Sequence, residues 1–270
     1  MITQSGATLR MATTVMNALG VTLIVTSSLY LWRTFYLATD LAAFFLLPFS
    51  VLVFIGSLWA GSAVHRASMK AAVRGDSPFA WLLTGRIRAI FGASLLITVA
   101  APLLAWHAIS STLPEFILFG FLCFVASMLF AGIDKRLLRH LTPAFARAIA
   151  LTAATLVACA IFIPVLAWAN WNFTLQPGAI RSASLEQALQ LGFDQLPARR
   201  GWVAEVMAPL YALEYAKLWF VVQAGSPKWF SFWYSIDAAL ISVIAARVST
   251  VLMSIVHRKG EDFNEPKPEH

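Results

Sequence analysis

Six stretches of this chain run close to twenty residues with almost no charge, at 11–32, 41–64, 89–110, 114–133, 146–169 and 232–256. A bilayer core about 30 Å thick needs about 20 apolar residues per helical span, at roughly 1.5 Å of rise each. The first stretch holds no Asp, Glu, Lys, Arg or His. In lipid every backbone N–H and C=O must find its partner within the protein, and a helix does this within a single segment. The expected fold is therefore all-α, a polytopic transmembrane helix bundle of about six spans.

Composition agrees, with 59% hydrophobic and 12% charged residues, about half the charged share of an ordinary soluble domain. A formal charge of +7 suggests nucleic acid until the placement of the charges is considered. Lys and Arg gather in short loops between apolar runs, where they set orientation, so no nucleic-acid partner is expected. Cys123 and Cys159 fall inside apolar segments and read as small core residues with no disulfide framework. The first apolar run is too long for a signal h-region and has no small-x-small cleavage site after it, so it reads as an uncleaved first span.

With the N-terminus inside, the cytoplasmic side receives thirteen of the twenty Lys and Arg, the opposite side six, and Arg247 lies within the last span. The positive-inside rule thus favours an N-in, C-in topology in a cell (inner) membrane. Residues 1–169 then hold spans one to five with basic cytoplasmic loops. Residues 170–231 form an exterior segment, 232–257 the last span and 258–270 a cytoplasmic tail. The exterior segment begins near Trp168, Trp171 and Phe173 and ends in Trp229, Phe230, Phe232, Trp233 and Tyr234, aromatic residues that favour the headgroup level. Ser184 with Gln187 three residues on has capping-box spacing and predicts a short helix over 184–191. Residues 202–223 are mostly apolar but carry Glu205, Pro209, Glu214 and Lys217. A seventh span would bury Glu214 and Lys217 at membrane depth; a helix lying in the interface avoids that cost.

Ala146, Ala150, Ala154 and Ala158 recur every fourth residue along the fifth span, a spacing that lets two helix backbones approach closely. Ser235, Ala238, Ser242, Ala245 and Ser249 make a similar face on the last. Asp237 and Arg247 are the candidate functional membrane-embedded charges, since a charge at depth is costly unless paired or hydrated. They lie ten residues apart, about 15 Å of rise, and so cannot pair with each other. Arg247 near the inner third can snorkel to the headgroups. Glu115 follows Pro114 in the first turn of the fourth span, where a carboxylate suits the helix N-terminus.

His65 and His107 sit at opposite ends of their spans and cannot share a haem iron. His65, His140 and His257 share the inner side without metal-site spacing. No P-loop, HExxH, GxSxG or CxxC occurs, so no catalytic, metal or cofactor site is expected.

From Phe193 the chain reads Phe-Asp-Gln-Leu-Pro, then Met207, Ala208, Pro209, Leu210 and Tyr211. Glu214, Lys217 and Gly225 follow, before an apolar span ending in His257, Arg258 and Lys259. This run, with the order of spans, resembles the C-terminal third of ABC-2-type export permeases such as the polysaccharide and lipo-oligosaccharide exporters. Lys217 stands where that family usually has arginine, and Ala208 where it has asparagine. The resemblance implies a homo-oligomeric permease driven by a separate cytoplasmic ATPase, docking on inner loops at 68–84 and 134–142. Arg74, Asp76, Arg86, Arg88, Asp134, Lys135 and Arg136 are the candidate docking residues. The expected function is a non-enzymatic membrane subunit of an export or secretion machine, in contact with membrane lipids and other membrane subunits. A structural or assembly subunit of a larger inner-membrane complex is the alternative. A lipid-modifying enzyme is a third reading, for which the sequence offers no acid–base pair.

Overall fold

The computed structural model describes residues 2–72, 86–173, 178–196, 201–224 and 227–262, and the side chains of 11–63, 87–173, 178–196, 201–223 and 232–257. Helix α1 (Ile2–Phe35) leads through a 3-10 segment (Asp40–Leu46) into α2 (Leu47–Ala72). Three long helices follow, α3 (Arg86–Ser110), α4 (Leu113–Leu137) and α5 (Pro143–Phe173). A second 3-10 segment (Gly178–Arg181), the short α6 (Leu185–Phe193) and α7 (Trp202–Ala224) precede α8 (Pro227–Asp262). No strand occurs among the described residues.

Six segments are long and apolar enough to cross a membrane: Met11–Phe35, Asp40–Ala63, Ile87–Ser110, Leu113–Leu137, Pro143–Phe173 and Phe232–His257. Every boundary falls within four residues of the sequence expectation. The chain is an all-helical, multi-pass membrane protein. Helix α7 is not one of the six.

Several hydroxyls in the spans are satisfied within their own helix, whereas those of Ser57, Ser242 and Ser249 are buried without a hydrogen-bond partner. Thr22, Thr26, Ser127 and Thr155 each donate to the carbonyl four residues back, at 2.7–2.9 Å. That local bond is the cheapest way to carry a hydroxyl through an apolar layer.

The bundle is built around α8. Of its most apolar stretch 67% is buried, against 22% for α1. Helices α5, α4 and α2 pack against it. Ala146, Ala150, Ala154 and Ala158 on α5 are fully buried, as are Ser242, Ala245 and Ser249 on α8. The Thr155 and Thr250 hydroxyls meet across the two helices at 3.5 Å. Gly56 marks the closest approach of α2, since a Cβ there would lie 2.6 Å from Val251 Cγ1. Helix α1 is tied to α3 by the Trp32 indole N–H, which donates to Ala105 O at 2.9 Å. Its Arg33 donates to Ser111 O in the α3–α4 turn at 3.0 Å.

The non-spanning helices sit together at one end of the bundle. Ser184 accepts from the Gln187 N–H (3.2 Å) while Gln187 Oε1 accepts from the Ser184 N–H (2.8 Å), the capping box expected at the start of α6. Gly192 lets α6 press onto α7, where an added Cβ would lie 2.8 Å from Tyr211 O. Trp219 donates to Ala183 O at 2.8 Å, fixing the far end of α7. The Asp40 side chain occupies the space a Cβ on Gly201 would need, so any larger residue just before α7 must push that carboxylate aside. An acidic side chain at that point also complements the positive end of the helix dipole. Pro102, Pro164 and Pro209 lie inside α3, α5 and α7.

Candidate functional site

Five helices enclose a cavity of about 180 Å³ at the same end of the bundle as α7. Helix α3 contributes Trp106, His107 and Ser110 from its last turns, and the short link to α4 contributes Ser111 and Thr112. Helix α4 adds Glu115, and α5 adds Leu166, Asn170 and Phe173. Glu214 and Lys217 come from α7, and Tyr234, Asp237, Ala238 and Ile241 from α8.

The chemistry centres on Lys217. Its ammonium forms an ion pair with Asp237, the two side chains being 10% and 22% exposed. The same nitrogen lies 5.5 Å from the Tyr234 ring centroid and 6.0 Å from that of Trp106, within cation–π range. Burial pulls the Lys217 pKa down, but the Asp237 and Glu214 carboxylates outweigh it, and the net shift is upward. Glu214 lies one helical turn from Lys217 on the same face. Burial pushes its carboxyl pKa up and Lys217 pulls it back; Asp237 and Glu115 add to the rise. Glu214 thus holds a proton to higher pH than an exposed glutamate.

Glu115 has two roles. Its Oε2 accepts from the Thr112 N–H at 2.6 Å and from the Thr112 hydroxyl at 2.9 Å, capping α4. Its Oε1 is buried without a hydrogen-bond partner, on a residue only 3% exposed. His107 is 7% exposed and packs on Phe119 with ring centroids 5.5 Å apart. Its Nε2 likewise has no hydrogen-bond partner. With the Trp106 indole nitrogen, three buried polar atoms of residues that line the cavity are thus without a hydrogen-bond partner in the protein.

Of the residues singled out in the sequence, Asp237 belongs to this cavity, and Arg247 does not line it. Arg247 is partly buried further along α8. The four alanines of α5 lie in the helix core. Lys135, Arg136 and Arg88 are exposed. Asp134 is different: it is fully buried in the last turn of α4, so it is not available to a docking partner as the sequence suggested. A carboxylate there finds its surroundings inside the fold. Arg74 and Asp76, the side chain of Arg86 and most of the 68–84 loop lie outside the described residues.

Sequence reasoning weighed Glu115, His107, Glu214 and Lys217 one at a time, as a cap, a rejected haem ligand and two costs of a seventh span. The usable signal was the pair of opposite charges, Glu214 and Lys217, at i, i+3 in a mostly apolar helix, since both charges must then face one shared polar environment. Comparison with known protein families, with characterised proteins and with solved structures returned no match.

Proposed function

We propose that the chain is a non-enzymatic membrane subunit of an export or secretion machine and that the cavity is where it contacts its cargo. The carrying observation is the Lys217–Asp237 ion pair set beside Glu214 and Glu115 in open space rather than in a packed contact. Ionisable groups within a bundle are expensive and collect along polar paths. A purely load-bearing interface gains more from apolar packing than from such a pair.

The cavity hydroxyls support a binding role over a catalytic one. Ser110 donates to Trp106 O at 3.1 Å, Ser111 to Ala108 O at 3.5 Å and Thr112 to Glu115 at 2.9 Å. The two serines are tied to backbone carbonyls, and the Thr112 hydroxyl is taken up in the cap of α4. In this reading energy comes from a separate ATPase, and the exposed Lys135 and Arg136 stand at the opposite end of the bundle from the cavity. The distribution of Lys and Arg supports an orientation with the cavity outside and both termini inside, the one the ABC-2-like reading needs.

The alternative, a structural subunit that transports nothing, is favoured by one observation: Lys217 and Asp237 neutralise each other. Asp237→Asn separates the two readings, because it keeps the side-chain size and removes the charge. Cargo handling predicts normal assembly into the membrane complex with loss of export. A structural subunit predicts altered assembly and no separate transport defect. The orientation is tested by single cysteines at Ser184 and Ser68, which an impermeant thiol reagent should reach from opposite sides. Labelling of both from outside would overturn the topology.

A further inference from the structure

We infer that the cavity between α3, α4, α5, α7 and α8 is a binding site for a small organic ammonium group. The inference rests on the reading of the cavity as the cargo site and names the chemistry of what enters it.

The charge balance comes first. Three carboxylates, Glu115, Glu214 and Asp237, line the cavity against one ammonium, that of Lys217. Asp237 already engages Lys217. Arg33 bonds to the Ser111 carbonyl and does not line the space. Glu214 must share the Lys217 charge with Asp237, and Glu115 Oε1 has no hydrogen-bond donor within the protein. A buried carboxylate oxygen in that position costs free energy until a donor reaches it.

The rings give the second argument. Trp106 and Tyr234 already hold the Lys217 ammonium at cation–π distance, and Phe173 adds a third ring to the lining. Walls that combine carboxylates with aromatic faces attract cations and repel anions. A phosphate-like group would meet Glu115 and Glu214 directly. A metal ion is disfavoured, since no three His, Cys, Asp or Glu side chains converge to hold one among the described residues. An ammonium group needs only donors turned toward Glu115 and Glu214, with its aliphatic carbons against Leu166 and Ile241. The unused His107 Nε2 can take a hydroxyl on the same ligand.

Size is the third. About 180 Å³ falls below the roughly 300–1,000 Å³ typical of sites for drug-sized molecules. It suits a head of a few heavy atoms, such as an ethanolamine moiety, and not a saccharide chain. Such a group reaches the site either as a free amine or as the head of a membrane lipid. The raised pKa of Glu214 adds a signature. The ammonium and the Glu214 proton compete, with Lys217, Asp237, Glu115 and His107 facing the same space, so binding tightens as pH rises toward neutrality.

The test is calorimetric titration of the purified full chain in detergent with ethanolamine, with ethylene glycol as the neutral analogue and inorganic phosphate as the anion. Ethanolamine should bind at one site, ethylene glycol and phosphate should not. Glu214→Gln should weaken ethanolamine at least tenfold, as expected for loss of a charged hydrogen-bond partner. Equal binding of ethanolamine and ethylene glycol to the wild-type chain overturns the inference without any variant. So does competition by phosphate, or unchanged affinity in a folded Glu214→Gln protein. Repeating the titration in phosphatidylcholine nanodiscs with and without phosphatidylethanolamine assigns the source. Loss of ethanolamine binding in the presence of that lipid identifies the lipid head; unchanged binding identifies a free amine. If ethanolamine fails to bind while Asp237→Asn still abolishes export, the ammonium inference falls and the cargo-site reading stands.

Discussion

Helices α5 and α8 run together through two unlike environments. Around Ala150, Ala154, Thr155 and Thr250 they are closed by small side chains and a single hydroxyl contact. Toward Leu166 and Asn170 on α5, and Asp237 and Tyr234 on α8, the same two helices line an ion pair and open space. Packing holds the first region, and only its shape matters. The second is held by compensated charge, and its stability depends on every partner staying in place. The difference shows why small residues and charges occupy separate lengths of the same helices: close backbone contact leaves no room for the hydration or ligand a charge requires.

The sharpest way to break that comparison is Lys217→Met. Removing the ammonium leaves Asp237 without its partner, a change worth about 3 kcal/mol for a buried pair. Thermal unfolding in detergent should show the loss, and Lys217→Met with Asp237→Asn should recover more than half of it. A single variant that melts like wild type would mean that the cavity end carries no special electrostatic load.

Ala154→Leu addresses the closed region. Overpacking there should cost about 1–3 kcal/mol, lowering detergent stability while leaving ethanolamine binding intact. Wild-type stability would place this face against lipid instead of a helix.

The smallest expected effect is the pH response of Glu214. Its pKa is raised in the folded chain, so the folded state holds this proton more tightly than the unfolded one. Its contribution is full below the ordinary glutamate range and fades as pH rises through the raised value. Glu214→Gln should remove that part of the slope in melting temperature against pH. Parallel slopes for the two proteins would show that Glu214 titrates as an exposed acid.

The spans were legible because apolar length is a local property, and Met11–Phe35 or Phe232–His257 can each be read without knowing its neighbours. The site was not. Asp237 stood out alone, but its partner Lys217 lies twenty residues away on another helix, and His107 and Glu115 reach the cavity from about a hundred residues upstream. What brings them together is the placement of α7, set by contacts at Gly192 and Gly201 and by the Trp219 bond. None of these contacts leaves a periodic trace. The alanine repeat on α5 is regular in the sequence, but the same spacing fits a seam within the chain or one between subunits.

Three of the five cavity walls share one further property. Pro102, Pro164 and Pro209 deprive the carbonyls of Thr98, Ala160 and Glu205 of the amide that would normally stitch one turn to the next. Bending stiffness in a helix comes from those stitches, and helices yield where one is absent. The bundle is therefore elastically graded. Helix α8 and the alanine-lined half of α5 act as a stiff keel, while the cavity is walled by segments that flex at low cost. Amide hydrogen exchange should follow the same gradient, faster just beyond each proline than along the middle of α8. Walls of this kind let the cavity end change its width at lower cost than the alanine-lined end.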